Sequence, residues 1–405
     1  MPYDVWLPRV IENDCDYVDE LRKCFDEYNK WIDNTFIKHV DDALNLKGKS
    51  DLIPNWKDIK KEIEEIEKQI IIAINEYYYG KIAKAQKRIR IILRKLKSED
   101  ELSFLISDID ESYATRLLAP FPDLHCPNNE ELYKRMNEEC LSFFRARVGD
   151  IESYEDMFHI PLNKRDSVST QRFSVPGTPC LYLGTSSYDI WTELRKPAFN
   201  QFCVSGIKLK PINERKEIKI LNLISGIYLD YRIMNPISIT ITEKTVKLLI
   251  MELKIWLFAC ATSFRVNNSK GAFHSEYIVS HLIMQCLRKL GIDGVAYISK
   301  QIDPKDENIS LPLMVNIAIP VFSESTKAKY APICSKFEIS APVNFREFLG
   351  IKNPQQLNMV KCYSNKVFTD NEIRYAKKVI DYKETYFSDL DDFLCSQKYY
   401  NVDAN

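Results

Sequence analysis

Hydrophobic residues recur at helical spacing through the first third of the chain. Two runs each place their apolar side chains on one stripe of a helix. The first run contains Ile59, Ile63, Ile66, Ile70 and Tyr77, and the second contains Ile82, Ala85, Ile89, Ile92 and Leu96. Gly80 separates the runs and favours a turn, which would fold the two helices into an antiparallel hairpin. One long helix, kinked or straight, is the alternative, because a helix tolerates a single glycine.

The two runs carry opposite charge. The first is rich in aspartate and glutamate between Asp58 and Glu67, and the second is rich in lysine and arginine between Lys81 and Lys97. In a hairpin these faces would oppose each other and form ion pairs. The basic run could instead bind nucleic acid, but it lacks interleaved aromatic residues and any known binding motif. A solvated face paired with its acidic neighbour is the better interpretation, so nucleic acid is not expected as a partner.

A proline-rich segment then indicates a domain boundary. Pro120, Pro122 and Pro127 cannot lie within helix interiors. We therefore predict a helical first domain over residues 1–125. His125 and Cys126 are adjacent at the boundary, but no second pair of ligands lies nearby. A loop is the better prediction there than a zinc site.

Short strands and helices alternate beyond the boundary. Strands are predicted in LSFFRARVG, TPCLYLG and IDGVAYIS. Helices are predicted in SSYDIWTELRK, EKTVKLLIMELKIWLFACATSF and HSEYIVSHLIMQCLRKLG, the last ending at Gly291. The tail adds a strand in SKFEISAP and a helix in DNEIRYAKKVIDYK. The alternation has no sustained β-α rhythm, so we predict an α+β fold, with a second domain over residues 126–322 and an extension over 323–405 packed on it.

The amino-acid composition excludes few classes of protein but indicates the cellular location. The chain has 405 residues, a net charge of −1 and 45% hydrophobic residues, which is ordinary for a soluble protein. Its eleven cysteines contain no C-x-x-C pair, and the start has no signal-like segment, so reduced thiols and a cytoplasmic location are expected. The longest apolar stretches are too short or too interrupted to span a bilayer, and no membrane partner is expected.

Four segments in the second domain carry the candidate chemistry. They are FFRARVGD with Arg145 and Arg147, RFSVPGTPCLYLG with Arg172, Ser174 and Tyr182, IWTEL with Glu193, and YIVSHLIMQCLRKLGIDGVAYIS with Ser280 and Ser299. Their order and wording, from about Phe143 to Pro320, resemble the RES domain, which is named for its arginine, glutamate and serine. No single segment is specific, but the ordered set is. The turn that is often Gly-Arg-Trp-Asn in that family reads QRFS here, so Ser174 must substitute for the asparagine with a shorter reach.

The resemblance implies a fold, an activity and a set of residues. The family is the NAD+-consuming module of bacterial toxin–antitoxin systems, with an ADP-ribosyltransferase-like split β-sheet around an NAD+ cleft. The resemblance assigns the catalytic roles to Arg145, Glu193 and Ser280. Two other serines are alternatives to Ser280, since Ser275 lies nearby and Ser299 ends the next strand. Arg147, Arg172, Tyr182 and Ser174 are then the predicted substrate-binding residues. NAD+ is implied as the substrate, with no resident cofactor and no metal.

The chemistry asks for the same residue types. Loss of nicotinamide from NAD+ leaves an oxocarbenium-like ribose, which a carboxylate such as that of Glu193 stabilises. Guanidinium groups such as those of Arg145 and Arg172 meet the pyrophosphate in a bidentate manner. Tyr182 can stack on the flat cationic nicotinamide ring, and Ser280 can donate or accept a hydrogen bond.

Several alternatives stay open at this point. Water, inorganic phosphate or a protein side chain could receive the ADP-ribose, the last making the protein an ADP-ribosyltransferase. A non-catalytic module that keeps the fold is a further hypothesis. The helical domain resembles a HEPN-type RNase domain without its Arg-x(4–6)-His motif, which favours recognition or autoinhibition. His274 and His281 are not expected to form a metal site, because they lack a third metal ligand. An antitoxin partner and a toxin or phage-defence setting are expected.

Overall fold

The structure is a computed structural model that describes residues 9–11, 15–116, 141–224, 242–266, 273–301, 314–323, 328–351, 372–375 and 378–402. The helices are α1 (Tyr17–Trp31), α2 (Ile37–Leu46), α3 (Trp56–Tyr78), α4 (Ile82–Glu99), α5 (Tyr113–Arg116), α6 (Ser187–Glu193), α7 (Glu243–Thr262), α8 (Ile278–Leu290), α9 (Phe345–Leu349) and α10 (Tyr386–Ser396). A π-helical turn, Ile32–Phe36, joins α1 to α2.

The strands follow the same chain order. They are β1 (Val10–Ile11), β2 (Ile106–Asp108), β3 (Ser142–Val148), β4 (Cys180–Gly184), β5 (Phe202–Leu209), β6 (Lys219–Asn222), β7 (Arg265–Val266), β8 (Gly294–Ile298), β9 (Val315–Pro320), β10 (Phe337–Ser340), β11 (Val343–Asn344), β12 (Glu372–Tyr375), β13 (Lys378–Asp381) and β14 (Tyr399–Asn401). Short 3₁₀ turns include Glu155–Met157, Leu162–Ser167 and Ser275–Tyr277.

The predicted helical hairpin is confirmed. Helices α3 and α4 pack against each other, and Gly80 has a φ of +71°, which glycine adopts without strain. The amide of Lys81 donates to the carbonyl of Glu76, which closes the end of α3. The charged faces do meet, since the Arg88 guanidinium pairs with Glu76 at 2.8 Å. The alternative of one continuous helix is therefore wrong.

A mixed sheet follows the helical region, so the α+β prediction is confirmed. Its strand order is β14-β10-β5-β3-β4-β9-β8-β6-β2, with β11 beside β5. β6 and β8 run parallel, and the other neighbours are antiparallel. β3 and β4 pair at a single position, Phe144 opposite Gly184, and the sheet opens beyond it.

The hydrophobic core includes residues from the helical region, the sheet and the C-terminal extension. Helices α1, α3 and α4 share one buried cluster with α7, α8 and one face of the sheet. A second cluster covers the other face, and a third packs α6 and α10 on β3 and β5. The extension supplies β10 and β14 to the main sheet, and the helical region supplies β2. The predicted boundary at residue 125 lies outside the described residues, so the domain limits stay predictions.

One element of the tail differs from its prediction. The segment DNEIRYAKKVIDYK is predicted as a helix, but its described residues 372–375 and 378–381 form the antiparallel pair β12 and β13, so that prediction is wrong. Ile373 lies opposite Ile380 in this pair, and a spacing of seven residues also matches two turns of a helix. The predicted strand in SKFEISAP is confirmed as β10. Within the described part of the chain, no helix has the length and apolarity that crossing a bilayer requires.

Candidate functional site

A cavity of about 610 Å³ lies where β3 and β4 separate. Its walls come from both strands, from the turn before β4, from the end of α6, and from the ends of β8 and β9. Of the seven predicted site residues, those that line it are Arg145, Arg147, Arg172, Ser174, Tyr182 and Glu193. Predicted residues from three separate sequence segments therefore meet in one place.

Arg145 and Arg147 lie two residues apart on β3 and point to the same face, as the strand period predicts. Both donate to the carbonyl of Phe158, Arg145 from Nε at 3.2 Å and Arg147 from Nη2 at 2.6 Å. Arg145 also donates from Nη1 to the carbonyl of Tyr182 at 2.8 Å, which ties β3 to β4 across the opening. Burial, and then the charge of Arg147, lowers the pKa of Arg145 to about 9. Arg145 thus braces the opened sheet as well as adding positive charge.

Arg172 is held by contacts on every side. Its Cζ lies 5.0 Å from the centre of the Phe173 ring and 4.8 Å from that of Tyr297. Nη1 donates to the carbonyl of Ile298 at 2.9 Å, and Nη2 donates to Oγ of Ser263 at 3.1 Å. Nε is buried and has no hydrogen-bond partner among the described residues. A stacked, doubly bonded guanidinium keeps one orientation, which is what bidentate recognition of an anion requires.

Ser174 and Tyr182 form a pair at the cavity wall. Their hydroxyls lie 2.7 Å apart, and Tyr182 is partly exposed while Ser174 is buried. The shorter serine therefore bonds the tyrosine hydroxyl and fixes the orientation of the ring. An anchored aromatic ring can present its face to a flat ligand.

Glu193 is the last residue of α6, and the sequence positions that helix tightly. Ser186 caps α6 by accepting from the amide of Asp189 at 3.0 Å. A Cβ at Gly184 on β4 would lie 2.5 Å from Cγ2 of Ile190, so only glycine allows the helix to lie this close to the strand. Glu193 remains partly exposed at the cavity.

Two carboxyl groups lie one helical turn apart and share an amide. Asn316 donates from Nδ2 to Oδ1 of Asp189 at 3.0 Å and lies 3.5 Å from Oε1 of Glu193. Burial, and then the charge of Glu193, raises the pKa of Asp189 well above its ordinary value. Burial also raises the pKa of Glu193, but a hydrogen bond from Ser299 and the charge of Arg172 act in the opposite direction. Burial therefore disfavours ionisation of both carboxyl groups, and the contacts of Glu193 with Ser299 and Arg172 partly oppose that effect at Glu193.

Sequence reasoning missed Tyr277, Lys300 and Asn316, which line the same cavity, and it considered His274, which also lines it, only as a metal ligand. Lys300 is buried, and its Nζ donates to the hydroxyl of Tyr277 at 3.1 Å and to the carbonyl of Phe264 at 3.3 Å. Burial, and then the charge of Arg172, lowers the pKa of Lys300 to about 7. The sequence signal that could have identified Lys300 was its position directly after the predicted strand IDGVAYIS.

Ser280 is the predicted site residue that the structure does not bring to the cavity. It lies on α8 with no exposed surface, and its hydroxyl has no hydrogen-bond partner in the part of the chain that is described. Ser299, which follows β8, contacts Glu193 instead. His281 bonds the carbonyl of Gln171 at 3.0 Å. The described residues contain no group of three His, Cys, Asp or Glu side chains arranged to hold a metal ion.

Comparison with known proteins gives one extended similarity. The chain is 27% identical over 377 residues to a Bacillus subtilis (strain 168) protein named "Putative toxin YopC". The match covers 91% of this chain and 76% of that protein. The similarity therefore spans the helical region as well as the sheet.

Two other comparisons add little. No protein-family model matches the chain. Among solved structures, a chain of the M. tuberculosis MbcT–MbcA toxin–antitoxin complex aligns with 51% of this chain and 84% of its own length. The identity is 9% and the TM-score is 0.27, which is too low to support an argument.

Proposed function

We propose that this protein is a toxin of the toxin–antitoxin type that binds NAD+ in the cavity between β3 and β4 and breaks its nicotinamide–ribose bond. The similarity to a toxin-named protein along most of the chain supports the first part. The resemblance of Phe143 to Pro320 to RES domains supports the second. An antitoxin would then be the natural partner, and the cytoplasm, where NAD+ is available, the place of action.

The observation that carries the proposal is the charge arrangement in the cavity. The carboxyl group of Glu193 faces a space that is also lined by the basic side chains of Arg147, Arg172 and Lys300. NAD+ has the matching distribution, with an anionic pyrophosphate and a nicotinamide-ribose end that becomes cationic as the bond breaks. The cavity volume of about 610 Å³ is within the range of small-molecule sites.

Each residue has a role that follows from its surroundings. Arg147 and Arg172 bind the pyrophosphate, Arg172 with the guanidinium hydrogens that its bonds to Ile298 and Ser263 do not use. Arg145, whose bonds to two backbone carbonyls include one that ties β3 to β4, holds the strands and adds charge. Tyr182, anchored through its hydroxyl, stacks on nicotinamide. Glu193 stabilises the developing positive charge on the ribose.

The reaction balances without a metal or a redox step. The bond from the ribose C1′ to the nicotinamide nitrogen breaks, and its electron pair leaves with neutral nicotinamide. An oxygen of water or of inorganic phosphate then bonds to C1′. Its proton passes to Glu193, whose pKa is raised by burial and therefore suits a base, and from there to solvent.

Product analysis tests the proposal. Purified protein is incubated with NAD+ in the presence and absence of inorganic phosphate, and the products are separated and identified by mass. We expect nicotinamide together with ADP-ribose, or with ADP-ribose 1″-phosphate if phosphate is the acceptor. Folded wild-type protein that leaves NAD+ intact in both conditions contradicts the proposal and favours a non-catalytic binding module. ADP-ribose attached to protein instead identifies a transferase.

A further inference from the structure

The C-terminal end of α7 lies between the helical region and the cavity. We call residues 261–264 the α7 junction. On one side, the hydroxyl of Tyr17 on α1 donates to the carbonyl of Ala261 at 2.6 Å, and its ring meets that of Phe264 edge-on at 5.6 Å. Just beyond the junction, the amide of Arg265 donates to the carbonyl of Arg9, which pairs β7 with β1. The N-terminal region therefore fixes the position of this backbone.

On its other side, the α7 junction holds two cavity cations. Oγ of Ser263 accepts from Nη2 of Arg172 at 3.1 Å, and the carbonyl of Phe264 accepts from Nζ of Lys300 at 3.3 Å. The Ser263 hydroxyl also donates to the carbonyl of Ala259 at 2.6 Å. Because its proton is committed to α7, the lone pairs of Ser263 face the guanidinium.

A second contact between the same parts supports the arrangement. The ring of Tyr77 on α3 stacks on that of Phe273, with ring centres 6.4 Å apart, and Ser275 acts to lower the pKa of the neighbouring Tyr78. Phe273 and Ser275 flank His274 in the sequence, and Tyr277 follows two residues later. Both His274 and Tyr277 line the cavity. The helical region therefore contacts the chain both at the end of α7 and shortly before the start of α8.

We propose that the N-terminal helical region positions Arg172 and Lys300 through the α7 junction, with Tyr17 and Ser263 as positioning residues for ligand binding in the cavity. This inference rests on the proposed function for its kinetic consequence. It assigns the helical region a supporting role in the site, so loss of its contacts weakens binding. Autoinhibition by the same region would give the opposite result.

Kinetic constants of matched variants test the proposal in the full-length protein. Ser263→Ala removes the acceptor for Arg172, and we expect KM for NAD+ to rise about tenfold with kcat within about twofold. Tyr17→Phe should raise KM by about threefold, since it acts one step further away. Ser263→Thr keeps the hydroxyl and should restore the wild-type KM.

Tyr28→Phe is the matched control. The Tyr28 hydroxyl donates to the carbonyl of Leu253 at 2.9 Å, on the same helix α7 but more than two turns before the α7 junction. The two Tyr→Phe changes remove the same kind of bond and should lower the thermal stability to a similar extent. Only Tyr17→Phe should change KM, so an equal rise in both variants would overturn the proposal.

A chemical readout separates this inference from the proposed function. Phenylglyoxal labels accessible guanidinium groups, and the rate at Arg172 is mapped by peptide mass spectrometry without any NAD+, using Arg147 as the internal reference. We expect faster labelling of Arg172 in Ser263→Ala and Tyr17→Phe and an unchanged rate in Tyr28→Phe. Unchanged labelling in the first two folded variants overturns the proposal, even for a wild-type protein that consumes no NAD+.

Discussion

Replacing Glu193 by glutamine should abolish most of the turnover while leaving the fold intact. Glutamine has the same shape and keeps an oxygen at Oε1, the atom that lies 3.5 Å from Nδ2 of Asn316. The change removes the negative charge and replaces the other carboxylate oxygen with an NH2 group. Burial raises the pKa of Glu193, so its ionised form costs stability as the pH rises through the folded-state pKa. Glu193→Gln should therefore have a melting temperature at pH 7 equal to or above that of the wild type.

The expected size of the effect follows from the electrostatics. A carboxylate about 4 Å from a developing unit charge contributes about 4 kcal/mol at an effective dielectric constant of about 20. Removing one stabilising group of this kind in other enzymes lowers kcat by about 10²–10³-fold, or about 2.7–4 kcal/mol of barrier. We therefore expect a loss of kcat of about 10²–10³-fold with little change in KM.

Asp189→Asn is the matched control for this experiment. Asp189 lies one turn earlier on the same helix, and burial and the charge of Glu193 raise its pKa well above the ordinary value, which favours the protonated form. An amide resembles a protonated carboxyl group, so we expect less than about a tenfold loss. The assay is steady-state release of nicotinamide between pH 5 and 9. The wild type should lose activity as the pH falls through the raised pKa of Glu193. A loss below tenfold in Glu193→Gln would refute the assigned role.

Three further outcomes are expected. Lys300, whose pKa is lowered to about 7, loses its charge as the pH rises, so KM for NAD+ should increase above pH 7 and Lys300→Arg should flatten that profile in steady-state kinetics. Tyr182→Phe should lower the free energy of unfolding by about 0.5–1.5 kcal/mol in urea titrations, because the partly buried hydrogen bond to Ser174 is lost, while kcat changes little. Ser299→Ala should reduce turnover more than Ser280→Ala, and equal losses would contradict the observed placement.

Much of the fold could be predicted because burial imposes a period on the sequence. The stripes of α3 and α4 end at Gly80, and the observed bounds of Trp56–Tyr78 and Ile82–Glu99 match the predicted hairpin. Short strands between turns were also predictable. The β12–β13 pair was not, since its apolar spacing of seven residues is compatible with either structure. Nor was β2, because a three-residue strand carries too few positions to show alternation.

The sequence predicted those site residues that lie in the set of RES-like segments. The segments containing Arg145, Arg172 and Glu193 do meet at one cavity. Asn316 could not be assigned, because only the sheet register, which pairs Tyr297 with Asn316, brings β8 and β9 together. Lys300 had only its position directly after the predicted strand as a signal. Sequence reasoning could not choose between the two serines either. A serine on the buried face of a helix and one at a strand end look alike until the burial is known.

Counting the nicotinamide released per protein molecule tests the central claim most directly. Purified full-length protein is mixed with excess NAD+, and free nicotinamide is followed by proton NMR alongside Glu193→Gln. A catalytic NAD+ site predicts that the wild type releases many equivalents of nicotinamide per protein and that the variant releases it at least a hundredfold more slowly. Release of less than one equivalent by folded wild-type protein, or equal rates for the two proteins, would contradict the claim.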